Sequence, residues 1–146
     1  MYKILIQAHS YNRYIVLILL VAVIIKALSG WLGKKPFDST DNKMSLFLLI
    51  FTHIQFLLGL VLYFVSPAVQ FGADTMKVKE IRYWTVEHVF GMIIAIALIT
   101  IARSTMKKMT SDEAKHKRLF IFNLIALIVI IAVIFFSGRG LLKSTY

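Results

Sequence analysis

Four long apolar stretches dominate this chain of 146 residues, and each can cross the hydrocarbon core of a bilayer, which is about 30 Å thick. Hydrophobic residues make up 59% of the sequence, against roughly 45–50% in soluble domains. Backbone N–H and C=O groups find no water inside lipid, so each stretch has to be helical. We predict an all-α, integral membrane, four-helix up-down bundle forming a single domain over 1–146, with spans at 14–33, 46–65, 83–102 and 119–136.

Short polar segments between these stretches carry helix-boundary signals. Gly-Lys-Lys-Pro at 33–36 is expected to end the first helix, and Ser-Pro at 66–67 the second. The polar residues at 38–41 offer N-caps for the second helix. Residues 110–113 fit a capping box, which predicts that the fourth helix begins several residues before its apolar part.

Charged residues beside the spans predict the topology. The first stretch is too long for a signal peptide and has Lys26 beside the would-be cleavage site, so we expect a retained span. Four spans place both termini and the second loop on one face, the terminal face, and the other two loops on the loop face. Ten of the 17 basic residues lie toward the loop face, which predicts a cytoplasmic loop face and periplasmic termini in a bacterial inner membrane. Tyr83 and Trp84 fit an aromatic belt at the terminal face.

The net charge of +10 is therefore expected to flank the bilayer, and we predict the lipid bilayer, not nucleic acid, as the surroundings of this chain. The absence of cysteine excludes disulfides, thiolate-held metals and covalently attached haem. A metal or cofactor would have to be held by histidine, methionine or carboxylate side chains.

Four histidines are the most informative polar residues. His9 and His88 lie toward the terminal face, and His53 and His116 lie toward the loop face. Neutral histidine is the commonest metal ligand, and two histidines hold a b-type haem. All four are candidate metal ligands, and one pair on each face would suit two haems that pass electrons between the faces.

Depth along the helices argues against this pairing. If the second helix starts near Thr40 and the fourth near Ser111, His53 and His116 differ in depth by about 12 Å. The other pair shows a similar offset, because His9 lies near its helix start. Helix tilt of about 20° absorbs only part of such an offset. The alternatives are histidines at the interface or histidines that are hydrogen-bonded between helices.

Four charged residues near the histidines are candidates for cofactor binding. Arg13 lies one turn after the first histidine and is expected to pair with Glu87 or a haem propionate, or to extend toward the interface. Lys115 and Arg118 flank the last histidine and would either hold propionates or form a basic cytoplasmic rim. Lys26, inside the first span, is expected to extend toward the interface.

Several segments together resemble a known family. They are HSYNRY at 9–14, FTHIQ at 51–55, LGLVLYF at 58–64, VEH at 86–88 and KHKR at 115–118. Over nearly its whole length the chain resembles small four-helix membrane proteins of Bacteroidota that are labelled "cytochrome B". The resemblance implies haem b and membrane electron transfer, with the four histidines as the matching positions and Arg13 and Glu87 as their neighbours.

Three functional hypotheses follow. The first is a cytochrome b-like electron carrier that holds one or two haem b groups and exchanges electrons with quinone or a membrane redox complex. The second is a cofactor-free accessory subunit of a larger membrane complex or a homo-oligomer. The third is proton or small-ion passage using His53, Glu87 and His88. Stand-alone enzyme chemistry is not indicated, since the sequence has no phosphate-binding loop, H-E-x-x-H or serine elbow.

Overall fold

The computed structural model describes residues 1–136, which contain four long helices and no strand. The last part of the predicted domain, 137–146, lies outside the described residues. The helices are α1 (Tyr2–Leu32), α2 (Ser39–Val65), α3 (Lys79–Met106) and α4 (Asp112–Phe136). Within α3, α-helical Lys79–Arg82 and His88–Met106 are joined by a π-helical turn at Tyr83–Glu87. The prediction of an all-α four-helix bundle is confirmed.

The helices pack as an up-down bundle because short connections at 33–38, 66–78 and 107–111 join successive helices. Helix α1 packs against α2 and α4, and α3 packs against α4, whereas the contact between α2 and α3 is sparse. Helices α1 and α3 therefore occupy opposite corners. The buried apolar core includes Leu20, Leu48, Ala102, Met106 and Ala126.

Apolar side chains also cover the outside of the bundle. Ile18, Leu57, Ile94 and Ile128, one on each helix, are all more than half exposed. Soluble proteins rarely expose apolar surface so continuously. Each helix is long and apolar enough to cross a membrane, as expected of a multi-pass membrane protein.

Side-chain caps begin α2 and α4. Asp38 and Asp41 form a reciprocal capping box at the start of α2, as the sequence indicates. The Asp41 backbone N–H bonds the Asp38 carboxylate and lowers the pKa of that carboxyl group. Helix α4 begins before its apolar part, as predicted, but its cap is Ser111, whose Oγ accepts from the Ala114 N–H.

Two basic side chains fasten the start of α2 to its neighbours. Lys26 extends toward the loop face, where its Nζ lies 2.8 Å from Oδ1 of the buried Asp41 and 3.9 Å from Oδ1 of Asp38. Arg103 is buried near the end of α3 and donates to the Asn42 carbonyl and the Ser45 hydroxyl. These bonds fix α2 between α1 and α3 at the loop face.

Gly91 of α3 lies close against Val133 of α4. A Cβ at this position would overlap the side chain of Val133, whose branched Cβ restricts its rotation. We expect Gly91→Ala to lower the free energy of unfolding in detergent by about 1–3 kcal/mol. Gly72→Ala is the matched control, since no atom lies within 4 Å of the Cβ it adds. Equal stability of the two variants would contradict this packing.

Candidate functional site

A cavity of about 400 Å³ lies in the terminal half of the bundle. Its volume falls within the range of about 300–1,000 Å³ that is usual for ligand sites. Apolar side chains from all four helices form most of its wall, and the polar groups are few. They include His9, Arg13, Thr52, Gln55 and His88.

His9 and His88 both line this cavity, and their rings lie near each other. Their ring centroids lie 6.4 Å apart, and the ring planes are inclined by 56°. Two imidazoles on opposite sides of one metal ion, with metal–nitrogen bonds of about 2 Å, place their centroids about 6 Å apart. The pair therefore has the separation that one metal centre between two histidines requires.

The two histidines lie at a common depth because α1 is longer than its apolar stretch. Helix α1 begins at Tyr2, so His9 is about 10 Å along it. His88 is about 14 Å along α3, which also begins at the terminal face. The predicted depth offset for this pair is wrong, since α1 starts twelve residues before the predicted span.

The π-helical turn places two aromatic rings against His88. Tyr83 Oη lies 3.5 Å from His88 Nδ1, and the Trp84 ring centroid lies 5.1 Å from that of the imidazole. Both aromatic residues are buried, so their predicted place in an interfacial belt is wrong. The Thr85 carbonyl in this turn accepts from Tyr63 Oη at 2.9 Å, which connects the turn to α2. Turns of this kind are frequent at functional sites.

Helix α2 leaves room for the His9 side chain and is hydrogen-bonded to α1 near this residue. A Cβ at Gly59 would lie 3.2 Å from His9 Nε2, so a larger residue here would require the His9 ring to shift by a few tenths of an ångström. Asn12 Nδ2 donates to Gln55 Oε1 and to the Phe51 carbonyl, at 2.8 and 3.0 Å. Gln55 Nε2 in turn donates to the His9 carbonyl at 3.0 Å.

The other two histidines do not form a pair. His53 is exposed on α2, and its Nδ1 lies 2.8 Å from the Leu49 carbonyl of the same helix. His116 is 1% exposed, with Nε2 3.1 Å from the Lys35 carbonyl and its ring against Gly30. From the observed helix starts, the two residues differ in depth by about 15 Å. The offset expected for this pair is confirmed, and the structure does not bring them together.

Arg13 is the one candidate charged residue that lines the cavity. Its guanidinium lies over the Tyr14 ring and donates to the Tyr14 hydroxyl at 3.1 Å. Glu87, a candidate partner for it, bonds instead to Arg82 Nε of its own helix at 2.7 Å. Glu87 is therefore paired within α3, and not with Arg13 of α1.

Lys115 and Arg118 belong to the loop end of the bundle. The Lys115 ammonium lies 5.4 Å from the Phe37 ring centroid, and the Arg118 guanidinium lies 4.8 Å from that of Phe122. Neither side chain lines the cavity, so the structure does not place them with the histidine pair.

Thr52 is a cavity residue that sequence reasoning missed. It is 2% exposed, and within the described part of the chain its Oγ1 has no hydrogen-bond partner. A threonine hydroxyl in a helix usually bonds the carbonyl one turn earlier. An intramembrane threonine is common, so only the cavity beside it makes this residue informative.

Comparison with known proteins adds no assignment, because no protein-family model, curated protein or solved structure matches the chain. Within residues 1–136, no three histidine or carboxylate side chains are close enough to hold a metal ion together. His9 and His88 are the two histidines that line the cavity, and a bis-histidine haem takes two histidine ligands.

Gln55 should be important for the packing of α1 on α2. We expect Gln55→Leu to lower the free energy of unfolding by roughly 1–2 kcal/mol, because interhelical hydrogen bonds to Asn12 and His9 are lost in a water-poor interior. Gln70→Leu is the matched control, since Gln70 is exposed in a loop and bonds the neighbouring Pro67 carbonyl. Thermal unfolding in one detergent measures both, and a loss as large for Gln70→Leu would refute the assignment.

Proposed function

We propose that this chain is a small membrane cytochrome b-like electron carrier that binds haem b between His9 and His88. The observation that carries the proposal is the 6.4 Å separation of the two ring centroids, because both histidines line one cavity of about 400 Å³. The resemblance to "cytochrome B" proteins points to the same cofactor. The two helices that supply the ligands lie at opposite corners, so the group between them would occupy the bundle interior.

The residues around the pair fit a flat, mostly apolar cofactor. Gly59 keeps α2 back from the His9 ring, and Tyr83 and Trp84 hold His88 in place. Arg13 supplies a positive charge at the cavity wall, suited to a propionate. His9 and His88 would hold such a haem, which would supply one-electron transfer, and the protein would supply its orientation and surroundings.

The proposal is for one haem, because His53 faces outward and His116 packs against the end of α1. With the topology expected from the basic residues, the site belongs to the periplasmic half of a bacterial inner membrane. Its partners would then be the quinone pool or another membrane redox complex. Ion passage is not proposed, since His53 faces outward and Glu87 pairs with Arg82.

Visible spectra of the purified protein, oxidised and reduced, test this function. After expression with added haem precursor, we expect a Soret band that shifts on reduction and about one haem per chain. His9→Ala and His88→Ala should each lose more than nine-tenths of the bound haem, because each removes one of only two ligands. His53→Ala and His116→Ala are the matched controls and should keep it.

A cofactor-free accessory subunit is the alternative, in which the His9–His88 contact only packs α1 against α3. In that case the wild-type spectrum stays featureless while His9→Ala still lowers stability or assembly with a heavier partner in mild detergent. That result, or full haem retention in His88→Ala, would refute the proposal.

A further inference from the structure

A second pocket, of about 540 Å³, lies at the loop face of the bundle. The end of α1, the connection at 33–38 and the first turns of α2 and α4 form its wall. Of the described residues, none lines both this pocket and the cavity that contains the histidine pair. We call it the loop-face pocket, and its polar wall includes Lys26, Ser29, Lys35, Asp38 and His116.

The α1 side of the loop-face pocket changes from apolar to polar along the helix. Ala22, Ile25, Lys26 and Ser29 all line the pocket and are spaced so that they share one face of α1. Ile25 is 62% exposed and belongs to the apolar outer surface of the bundle. The pocket therefore extends over about 10 Å of α1, from the lipid-facing surface to the polar end of the helix.

Two ammonium groups approach each other at the polar end. Lys35 Nζ donates to Ser29 Oγ at 3.0 Å, and Lys26 lies one turn before Ser29 on the same helix face. Lys26 is neutralised by the buried Asp41, at 2.8 Å. Lys35 is exposed, and within residues 1–136 no carboxylate forms an ion pair with it. Lys35 is thus the cation that can accept an added anion.

Asp38 supplies a negative charge at the same end of the pocket. Its side chain is 57% exposed, with Oδ1 3.9 Å from Lys26 Nζ, and it accepts from the Asp41 N–H. The exposed part of this carboxylate can accept further hydrogen bonds from a cation. His116 forms the floor, and its Nε2 bonds the Lys35 carbonyl, which holds the connection that carries both Lys35 and Asp38.

We propose that the loop-face pocket binds the head group of phosphatidylethanolamine from the adjoining leaflet. The phosphate lies beside Lys35 and Lys26, and the primary ammonium donates to the Asp38 carboxylate. The acyl chains leave past Ala22 and Ile25 into the lipid. This lipid carries one charge of each sign on its head group, which matches the two charges that Lys35 and Asp38 expose.

Other ligands meet only part of this wall. Inorganic phosphate suits Lys35 but leaves Asp38 unpaired and the apolar end at Ile25 empty. A metal cation suits Asp38 but is repelled by the two ammonium groups. Phosphatidylcholine has the same charges and chains but no N–H to donate, and phosphatidylglycerol brings an uncompensated negative charge beside Asp38.

This inference goes beyond the haem proposal and does not depend on it, because it uses different residues at the opposite face of the bundle. A lipid held there would join α1 to the first turn of α2 through its head group. The site would make this chain selective for one lipid of the leaflet at its loop face.

Mass spectrometry of the intact full chain, released from detergent with added lipid, tests the site. The probes are dioleoyl phosphatidylethanolamine, phosphatidylcholine and phosphatidylglycerol, which differ only in the head group. We expect the ethanolamine lipid to bind at a single saturable site, about tenfold more tightly than either of the others. This comparison needs no variant, so it does not depend on any substituted chain folding.

Two substitutions separate the phosphate contact from the ammonium contact. Lys35→Gln should weaken the binding of both zwitterionic lipids about tenfold, since both carry the phosphate, and it leaves the Lys35 carbonyl for His116. Asp38→Asn should lower the ethanolamine lipid to the level of the choline lipid. Asparagine is also a good N-cap, so α2 should still begin at this position.

Lys34→Gln and Asp112→Asn are the matched controls, because both residues are exposed at the loop face and neither lines the pocket. They should bind lipid as the wild type does, and circular dichroism checks that all four variants fold. Equal binding of the three lipids, a preference for phosphatidylglycerol, or equal losses in the controls would overturn the site. Displacement of the lipid by an equal concentration of water-soluble glycerophosphoethanolamine would also overturn it, and would identify a soluble ligand instead.

Visible spectra of the same samples separate this inference from the haem proposal. Selective lipid binding without a Soret band supports the lipid site and rejects the haem. A Soret band with unselective lipid binding supports the haem and rejects the lipid site.

Discussion

Hydrocarbon offers no hydrogen bonds, and the described structure depends on that fact throughout. It requires the long segments to be helices, and it requires partners for the polar groups that face inward. Asn12 and Gln55 bond each other and nearby carbonyls, Lys26 pairs with Asp41, and Arg103 bonds the start of α2. These contacts hold the bundle together where apolar packing alone has little specificity, since lipid tails are as apolar as leucine.

The cavity departs from this rule. His9 and His88 line it, and the Thr52 hydroxyl is buried beside it without a partner in the described chain. Such groups are costly in a membrane interior unless a ligand meets them. Ser10, His116 and Asn123 also carry a buried polar atom without a partner in the described chain, so the argument for this site depends on the histidine pair, the cavity and the adjacent π-helical turn together.

Hydropathy predicted the helices well because lipid leaves the backbone no alternative. Hydropathy underestimated the length of α1, because the first turns of this helix carry polar residues and begin at Tyr2. This error made His9 and His88 appear to lie at different depths. The capping residues at 38–41 were predictable because their chemistry is local. The buried place of Arg103 was not, since it depends on which neighbouring helix lies beside it.

Side-chain direction was the largest gap in the sequence reasoning about the site. Moving a residue by about two positions along an α-helix brings it to the opposite side of the helix. A histidine in an apolar span therefore points either to lipid or to the core, and the hydropathy of the span is the same in both cases. His53 points outward and His116 points inward. These two residues therefore do not form the loop-face pair that the sequence suggested. The π-helical turn also changes the side of the helix on which every later residue of α3 lies. The residue types of its sequence, YWTVE, do not predict such a turn.

The two faces of the bundle differ, and the difference bears on the proposed function. At the terminal face two histidines line one cavity, whereas at the loop face His116 lies against the Lys35 carbonyl and joins α4 to the end of α1. Under the proposed function, one such site would exchange electrons within one half of the membrane only. Transfer to the opposite face would then require a second redox centre supplied by another protein.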